Sequence, residues 1–470
     1  MIEGLKPYAE YKESGQAWLG QIPMHWDVQR MKLLLREVDA RSKTGKEQLL
    51  RVSQYTGVTQ RKVADGSDAP DTRAASLIGY KQVAANDLVI NIMLAWNGSL
   101  GASQFNGIVS PAYCVYRFKS NALAWYYHQL LRLPLYKGRI KAASTGVVES
   151  RLRLYSDDLG RIEALVPPLD EQAAIVRFLD HANRKFDGFI RAKRKLIALL
   201  NEQKQAIIDR AVTRGLNPDV KLKPSGIPWL GDIPAHWEVR KIKSLVKTIG
   251  GMTPDKSNAA YWGGRIPWVS PKDMKLREIW DSQDHITEAA LRQTSISIIQ
   301  PPAVLIVVRG MILARTFPTA TTKVPVTVNQ DMKALLPKSN LRPDYFVFLL
   351  TGIQRDLLQL VEIAGHGTCC LRTDSWGNFS LAIPPLAEQE AISKFLSSEL
   401  DMLNVAIART EREIALMQEY RTRLTADIVT GKLDVRAAAA QLPQVEDEPL
   451  RAEVDDELLE EADAAETTED

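Results

Sequence analysis

Cysteine is scarce. Cys114, Cys369 and Cys370 are the only three in 470 residues, too few for a disulfide framework, so a reducing, cytoplasmic setting is expected. The six histidines are scattered, and the vicinal Cys369-Cys370 has no second Cys or His pair at zinc spacing, which leaves no expected metal or cofactor. Long apolar runs are missing too. The most apolar stretch, Ala303-Val304-Leu305-Ile306-Val307-Val308, has the length of a buried strand rather than a membrane span, so no membrane partner is expected. The N-terminus lacks the charged-then-apolar pattern of a secretion signal. Neither a Gly-x-x-x-x-Gly-Lys-Ser/Thr phosphate loop nor a dinucleotide fingerprint occurs. With no catalytic constellation standing out, a non-enzyme is expected.

Net charge is low but unevenly placed. The chain carries +3 overall, yet residues from about 441 onward hold acidic runs such as Val454-Asp455-Asp456-Glu457 and Glu460-Glu461. That composition cannot bury enough apolar surface to fold alone, and residues 437–470 read as a disordered acidic tail. The body that remains is basic, which points to a polyanionic partner.

What the chain does have is itself, twice. Ser14-Gly15-Gln16-Ala17-Trp18-Leu19-Gly20-Gln21-Ile22-Pro23-Met24-His25-Trp26-Asp27-Val28 returns as Ser225-Gly226-Ile227-Pro228-Trp229-Leu230-Gly231-Asp232-Ile233-Pro234-Ala235-His236-Trp237-Glu238-Val239. Pro167-Pro168-Leu169-Asp170-Glu171-Gln172 returns as Pro384-Pro385-Leu386-Ala387-Glu388-Gln389. A period above two hundred residues is not a solenoid unit. It means two whole domains, each followed by one connector.

The connectors read as long helices. After each Pro-Pro pair, apolar residues recur at spacings of three and four: Ile175, Leu179, Ala182, Phe186, Phe189, Leu196, Leu200 and Ile207, then Ile392, Leu396, Leu403, Ala406, Met417, Tyr420 and Leu424. This is a heptad seam, interrupted by Lys193, Gln203, Glu399 and Glu413. About 45 helical residues would span about 67 Å. Gly215 and Gly431 stand where C-terminal caps belong. A helix this long with one apolar seam needs a partner, and the simplest is the other helix, paired antiparallel.

The two intervening domains are rich in Gly, Pro, Asn and Thr with short apolar bursts, the punctuation of strand-rich domains. The expected fold is α+β: two strand-rich α/β domains separated by two long antiparallel coiled-coil helices, with a pseudo-two-fold internal repeat. The expected boundaries are 1–168, 169–216, 217–383, 384–436 and 437–470. Domain interiors diverge more than their ends, as in Gln54-Tyr55-Thr56-Gly57 against Pro271-Lys272-Asp273-Met274. Similar frames with different interiors suggest surfaces that read different targets. Ser110-Pro111-Ala112-Tyr113 resembles the loop of enzymes that methylate exocyclic amino groups in DNA. Ala112 replaces the second proline, however, and the repeat counterpart Thr327-Val328-Asn329-Gln330 lacks the motif, so the segment reads as a turn.

The Trp-Leu-Gly-x-Ile-Pro-x-His-Trp openings, Gly250-Gly251-Met252-Thr253-Pro254, Tyr261-Trp262-Gly263-Gly264, Ile266-Pro267-Trp268-Val269-Ser270 and the Pro-Pro-Leu-x-Glu-Gln helix starts together resemble the specificity subunit of type I restriction–modification systems, from about Ser14 to Arg436. The resemblance implies two target-recognition domains, each reading half of a split, asymmetric site in double-stranded DNA. It also implies helices that set the spacing and recruit two modification (methyltransferase) subunits and, through them, restriction (translocase–nuclease) subunits. The first domain lacks the Gly-Gly-x-Thr-Pro and Tyr-Trp-Gly-Gly elements. Two other readings stay open: the specificity subunit of a type IIB restriction enzyme, and a two-headed coiled-coil scaffold that binds protein.

Base edges are read by Arg, Lys, Asn, Gln and their kind. The expected DNA-binding residues are therefore Gln54, Tyr55, Arg61, Lys62 and Asn97 in the first domain, and Ser270, Lys272, Asp273, Arg309, Asn329 and Gln330 in the second. Trp18, Trp26, Trp229 and Trp237 read as core or subunit-docking residues. Glu171, Gln172, Glu388 and Gln389, constant in both copies, join them as docking candidates.

Overall fold

The Pro-Pro pairs mark the starts of the two longest elements. In the computed structural model, which describes residues 5–61, 74, 76–148, 151–364 and 367–443, Leu169–Arg214 and Leu386–Val429 are continuous helices of 46 and 44 residues. Acidic side chains stand in both first turns, where the helix dipole favours them. At the far ends Gly215 and Gly431 take positive φ of 74° and 79°, so both helices stop on the left-handed glycine the sequence placed there.

The chain divides into two compact units that interleave in sequence: Met1–Arg191 with Ile414–Asp470, and Ala192–Glu413. Each unit thus holds one strand-rich domain, the first part of one long helix and the last part of the other. The linear boundaries expected from sequence do not express this, because they assign each connector to itself.

In the first unit a four-stranded antiparallel sheet runs in the order Leu35–Glu37, Cys114–Phe118, Leu88–Ile90, Leu100–Ala102. Hairpin Leu50–Ser53 with Gly57–Gln60, and the pair Lys81–Val83 with Gly107–Val109, complete the divergent part. The second unit repeats the frame with five strands, Val246–Gly250, Met332–Pro337, Val304–Val307, Thr319–Thr322 and Glu278–Ile279, the last pair parallel. Beside it lies a three-stranded sheet of Asp284–Ile286, Trp262–Val269 and Thr327–Val328. Val304–Val307 is wholly buried, as its unbroken apolar run requires.

Two pairings are common to both units. The strand after each His-Trp motif pairs with the strand before each Pro-Pro: Asp27–Arg30 with Glu163–Val166, and Glu238–Lys241 with Ser380–Ile383. The matching motifs at the two ends of each copy are therefore one piece of structure, joined edge to edge.

The helices pair antiparallel within each unit. In the first, Arg421 donates to Asn183 Oδ1 at 2.9 Å and Asp187 Oδ1 at 2.7 Å, and Phe186 meets Tyr420 edge-on at 5.8 Å. In the second, Lys193 Nζ lies 2.7 Å from Glu413 Oε2, and Lys204 Nζ donates to Asn404 Oδ1 at 2.6 Å. The polar interruptions Lys193 and Glu413 thus face one another, which is why the seam tolerates them. Two seam assignments are corrected: Phe189 and Leu196 are 57% and 41% exposed, while Ile190 is buried. Alternating threes and fours fixes a face only to within about 20° per heptad, enough to swap neighbours.

Ordered chain continues past the distal helix. Arg436–Ala440 is a short helix with Ala439 buried against the first core. The residues of the acidic tail from 444 onward lie outside the described part. No helix among the described residues is long and apolar enough to cross a membrane.

Candidate nucleic-acid interface

The constant motifs converge on one carboxylate per unit. Glu171, in the first turn of the central helix, is 2% exposed and accepts hydrogen bonds from Trp26 Nε1 at 3.0 Å and from the Tyr8 hydroxyl, with His25 Nε2 at 2.7 Å on its other oxygen. In the second unit His236 Nε2 and Trp237 Nε1 meet Glu388 Oε2 at 2.7 and 3.0 Å. The adjacent glutamine does a second job. Gln172 donates to Pro167 O and Asn121 O and accepts from Leu123 N; Gln389 makes the same three bonds with Pro384 O, Asn340 O and Arg342 N. A long helix can be seated rigidly on a domain only if its first-turn polar groups are satisfied when buried.

This burial corrects part of the docking expectation. Trp26, Trp237, Gln172 and Gln389 are 0% exposed and Glu171 nearly so, so they hold the domain to its helix and have no surface to offer another chain. Glu388 keeps a 26% exposed side chain but is engaged in the same way. Trp18 packs edge-on against Tyr136 at 5.0 Å under Arg139, and Trp229 stacks on Phe379 at 5.1 Å. Both are half-buried, and these two remain the docking candidates.

Three of the second domain's six expected DNA-binding residues, Ser270, Lys272 and Asn329, line one cleft, and Asp273 and Gln330 stand next to them in sequence. A cleft of about 510 Å³ is lined by Lys256, Trp262, Trp268, Ser270, Pro271, Lys272, Asp284 and Asn329. The walls are set by Trp262 and Trp268, edge to face at 5.1 Å. Ser270 and Asp273 close a capping box: the Ser270 amide and hydroxyl both donate to Asp273 Oδ2, at 2.8 and 2.9 Å. Asp273 Oδ1 accepts from Gln283 N. Asn329 is 5% exposed and both donates to and accepts from Asp331. These three side chains are spent on shaping the cleft. Lys272 is held above its ordinary pKa by its 2.7 Å bond to Asp284. Gln330 accepts from the Thr253 hydroxyl. Arg309, exposed, is not a lining residue; its backbone bridges to Cys370. Lys256 was not foreseen, since a lone lysine in a loop gives no signal in sequence.

In the first domain Gln54 and Tyr55 sit at the tip between strands Leu50–Ser53 and Gly57–Gln60, with Tyr55 43% exposed. Asn97 ends the turn Ala95–Asn97 and accepts from the Ser99 amide and hydroxyl. Arg61 follows the second strand, and Lys62 lies outside the described residues. One residue that sequence reading missed ties these loops together. Arg132 donates to Gln54 O, Tyr55 O, Gly98 O and Leu100 O at 2.8 to 3.1 Å. Burial lowers its pKa to about 10. His128 beside it accepts from Ala102 N, and burial with Arg132 nearby pushes its pKa down to about 3, so it is neutral. The Ser110–Tyr113 segment is a turn, with Tyr113 N donating to Ser110 O.

Residues 234–414 match the family model for the type I restriction modification DNA specificity domain. The chain is 33% identical over 183 residues to the EcoR124I/EcoR124II specificity subunit of Escherichia coli, a match covering 39% of this chain and 45% of that one. It thus spans under half the length of that relative. A 23% identical match to the putative type I restriction enzyme MjaX specificity subunit of Methanocaldococcus jannaschii covers 91% of this chain and 98% of the relative. Among solved structures, a chain from a study of complex assembly in the type I R-M system shares the fold, with TM-score 0.65 and 15% identity over 87% of this chain and 98% of that one. With the doubled frame and its paired motifs, these matches make the chain similar to the specificity subunits of type I restriction–modification systems, the DNA specificity domain itself being matched over residues 234–414.

Proposed function

We propose that this chain is the DNA-reading subunit of a type I restriction–modification complex. Each domain binds one half of a bipartite, asymmetric site in double-stranded DNA, and the long helices set the spacing between halves. Two modification subunits are recruited by this subunit, and restriction subunits through them. The chain itself does no chemistry on DNA and works in the cytoplasm.

One observation carries this reading: the same frame is built twice around the same Trp-Glu-Gln junction, while the tips differ in fold and in residues. One frame with two different tips is what a reader of two different half-sites requires. The exposed polar and aromatic groups at those tips, Tyr55, Lys256, Lys272 and Gln330, are of the kinds that bond base edges and phosphates.

The test is a methylation map of the host genome with and without this gene. A bipartite asymmetric motif that loses its methylation on deletion, and regains it with the intact gene, supports the proposal. Methylation unchanged by deletion refutes it.

A further inference from the structure

We propose that Lys137 and Arg132 form a binding site for a DNA backbone phosphate beside the reading loops of the first domain. This rests on the reading of the chain as a DNA-binding subunit and adds to it the group that fixes the first domain's register.

The helix Pro134–Ala143 packs against the turn Ala95–Asn97. It lays the end of Lys137 on Gly98, where an added Cβ would run into the lysine's Cε and Nζ. Gly98 holds φ of 103° and closes the turn that carries Asn97. Arg132 is bonded to the same turn and to the tip that carries Gln54 and Tyr55. Two cations therefore stand next to one another under the loops expected to read bases.

No carboxylate among the described residues answers them. Arg132 bonds only to carbonyl oxygens, whose partial charges leave its full positive charge standing, and Lys137 has no hydrogen-bond acceptor or ion-pair partner. Burial and the neighbouring Arg132 both lower the pKa of Lys137. The second domain is different: Lys272 is neutralised by Asp284 at 2.7 Å. A pair of like charges, half out of water and unanswered by the protein, is stabilised by an external anion. The anion that a reading head meets at every step is a backbone phosphate. Lys137, half-buried at the surface, is the group that touches it. Arg132, its donors spent on carbonyls, positions the loops and adds charge from behind.

The experiment uses the full chain assembled with its modification subunits, and a duplex carrying the methylated site mapped in the host. Affinity is measured from 50 to 200 mM salt for wild type, Lys137→Gln and Lys137→Arg. A lost phosphate contact reduces the salt slope by about 0.9, so Lys137→Gln should lose about 3.5-fold less affinity across that range than wild type. Its preference among half-site sequences should be unchanged, and Lys137→Arg should keep the wild-type slope. A single neutral methylphosphonate, walked along the first half-site, should weaken wild type at one position and leave Lys137→Gln indifferent there. That separates a backbone phosphate from a free one. If wild type prefers its mapped site but Lys137→Gln runs parallel to it, the phosphate site is overturned alone. If wild type shows no preference for the mapped site, the DNA-reading proposal itself fails.

Discussion

Replacing Glu171 with glutamine should destabilise the first unit far more than the same change at Glu388 destabilises the second. Glu171 holds three donors on two oxygens, Trp26 and Tyr8 on Oε1 and His25 on Oε2, with a side chain only 1% exposed. An amide has one acceptor oxygen, so its nitrogen must face either His25 or the Trp26–Tyr8 pair. Charge-assisted hydrogen bonds contribute about 1.5–3 kcal/mol and neutral ones about 1. Weakening three of them amounts to about 3 kcal/mol. Glu388 places both donors on Oε2 with a 26% exposed side chain. An amide oxygen can keep both, and solvent screens what is lost, so about 1 kcal/mol is expected. For domains of this size 1 kcal/mol moves Tm by about 2–4 °C. Calorimetry of the full chain, with hydrogen exchange to assign each transition, should show a fall of about 6–12 °C in the first unit for Glu171→Gln. Glu388→Gln should lower the second by about 2–4 °C. Equal shifts, or a larger one at Glu388, would refute the reasoning that burial and donor count set the strength of this junction.

Gly431→Ala and Gly215→Ala should each cost about 1–3 kcal/mol in thermal unfolding, because both hold left-handed φ and a Cβ at Gly431 would stand 3.0 Å from the Trp26 ring. Asp180→Asn should stabilise the protein at pH 8 but not at pH 3.5. Burial raises the folded pKa of Asp180 to about 6 from 3.8. Its contribution is therefore complete below pH 3.8 and lost as pH rises through 6, by up to about 3 kcal/mol; denaturant midpoints at the two pH values check this. Four residues inserted near Leu200 alone should break the Lys204–Asn404 pairing, whereas four in each helix, near Leu200 and Ala406, should lengthen both by about 6 Å. Methylation mapping should then show unchanged half-sites with one or two extra base pairs between them.

The doubled frame was legible because it is the part with least freedom. A first-turn glutamate that collects a histidine and a tryptophan cannot change without its partners, so Trp26, His25 and Glu171 persist in both copies as a readable pattern. The long helices were legible from proline-free spacing and their terminal glycines. The tips were not. Ser270, Asp273 and Asn329 carry the right chemistry for reading bases, yet their polar atoms are consumed by a capping box and an Asx turn, which depends on local φ and ψ. Arg132 was invisible for the opposite reason: its partners are backbone carbonyls from Gln54 to Leu100, and carbonyls have no letter in a sequence. The interleaving of the units was hidden as well, since which half-helix packs on which domain is a long-range contact.

The most direct test of the account exchanges the first tip alone. Residues 31–162, between the paired strands Asp27–Arg30 and Glu163–Val166, are replaced by the corresponding segment of a relative with a known site, and the host genome is mapped for methylation. The account predicts a new bipartite motif in which one half is the relative's, the other half is unchanged and the gap between them is preserved. Change in both halves, or none, with the complex still active, would contradict it.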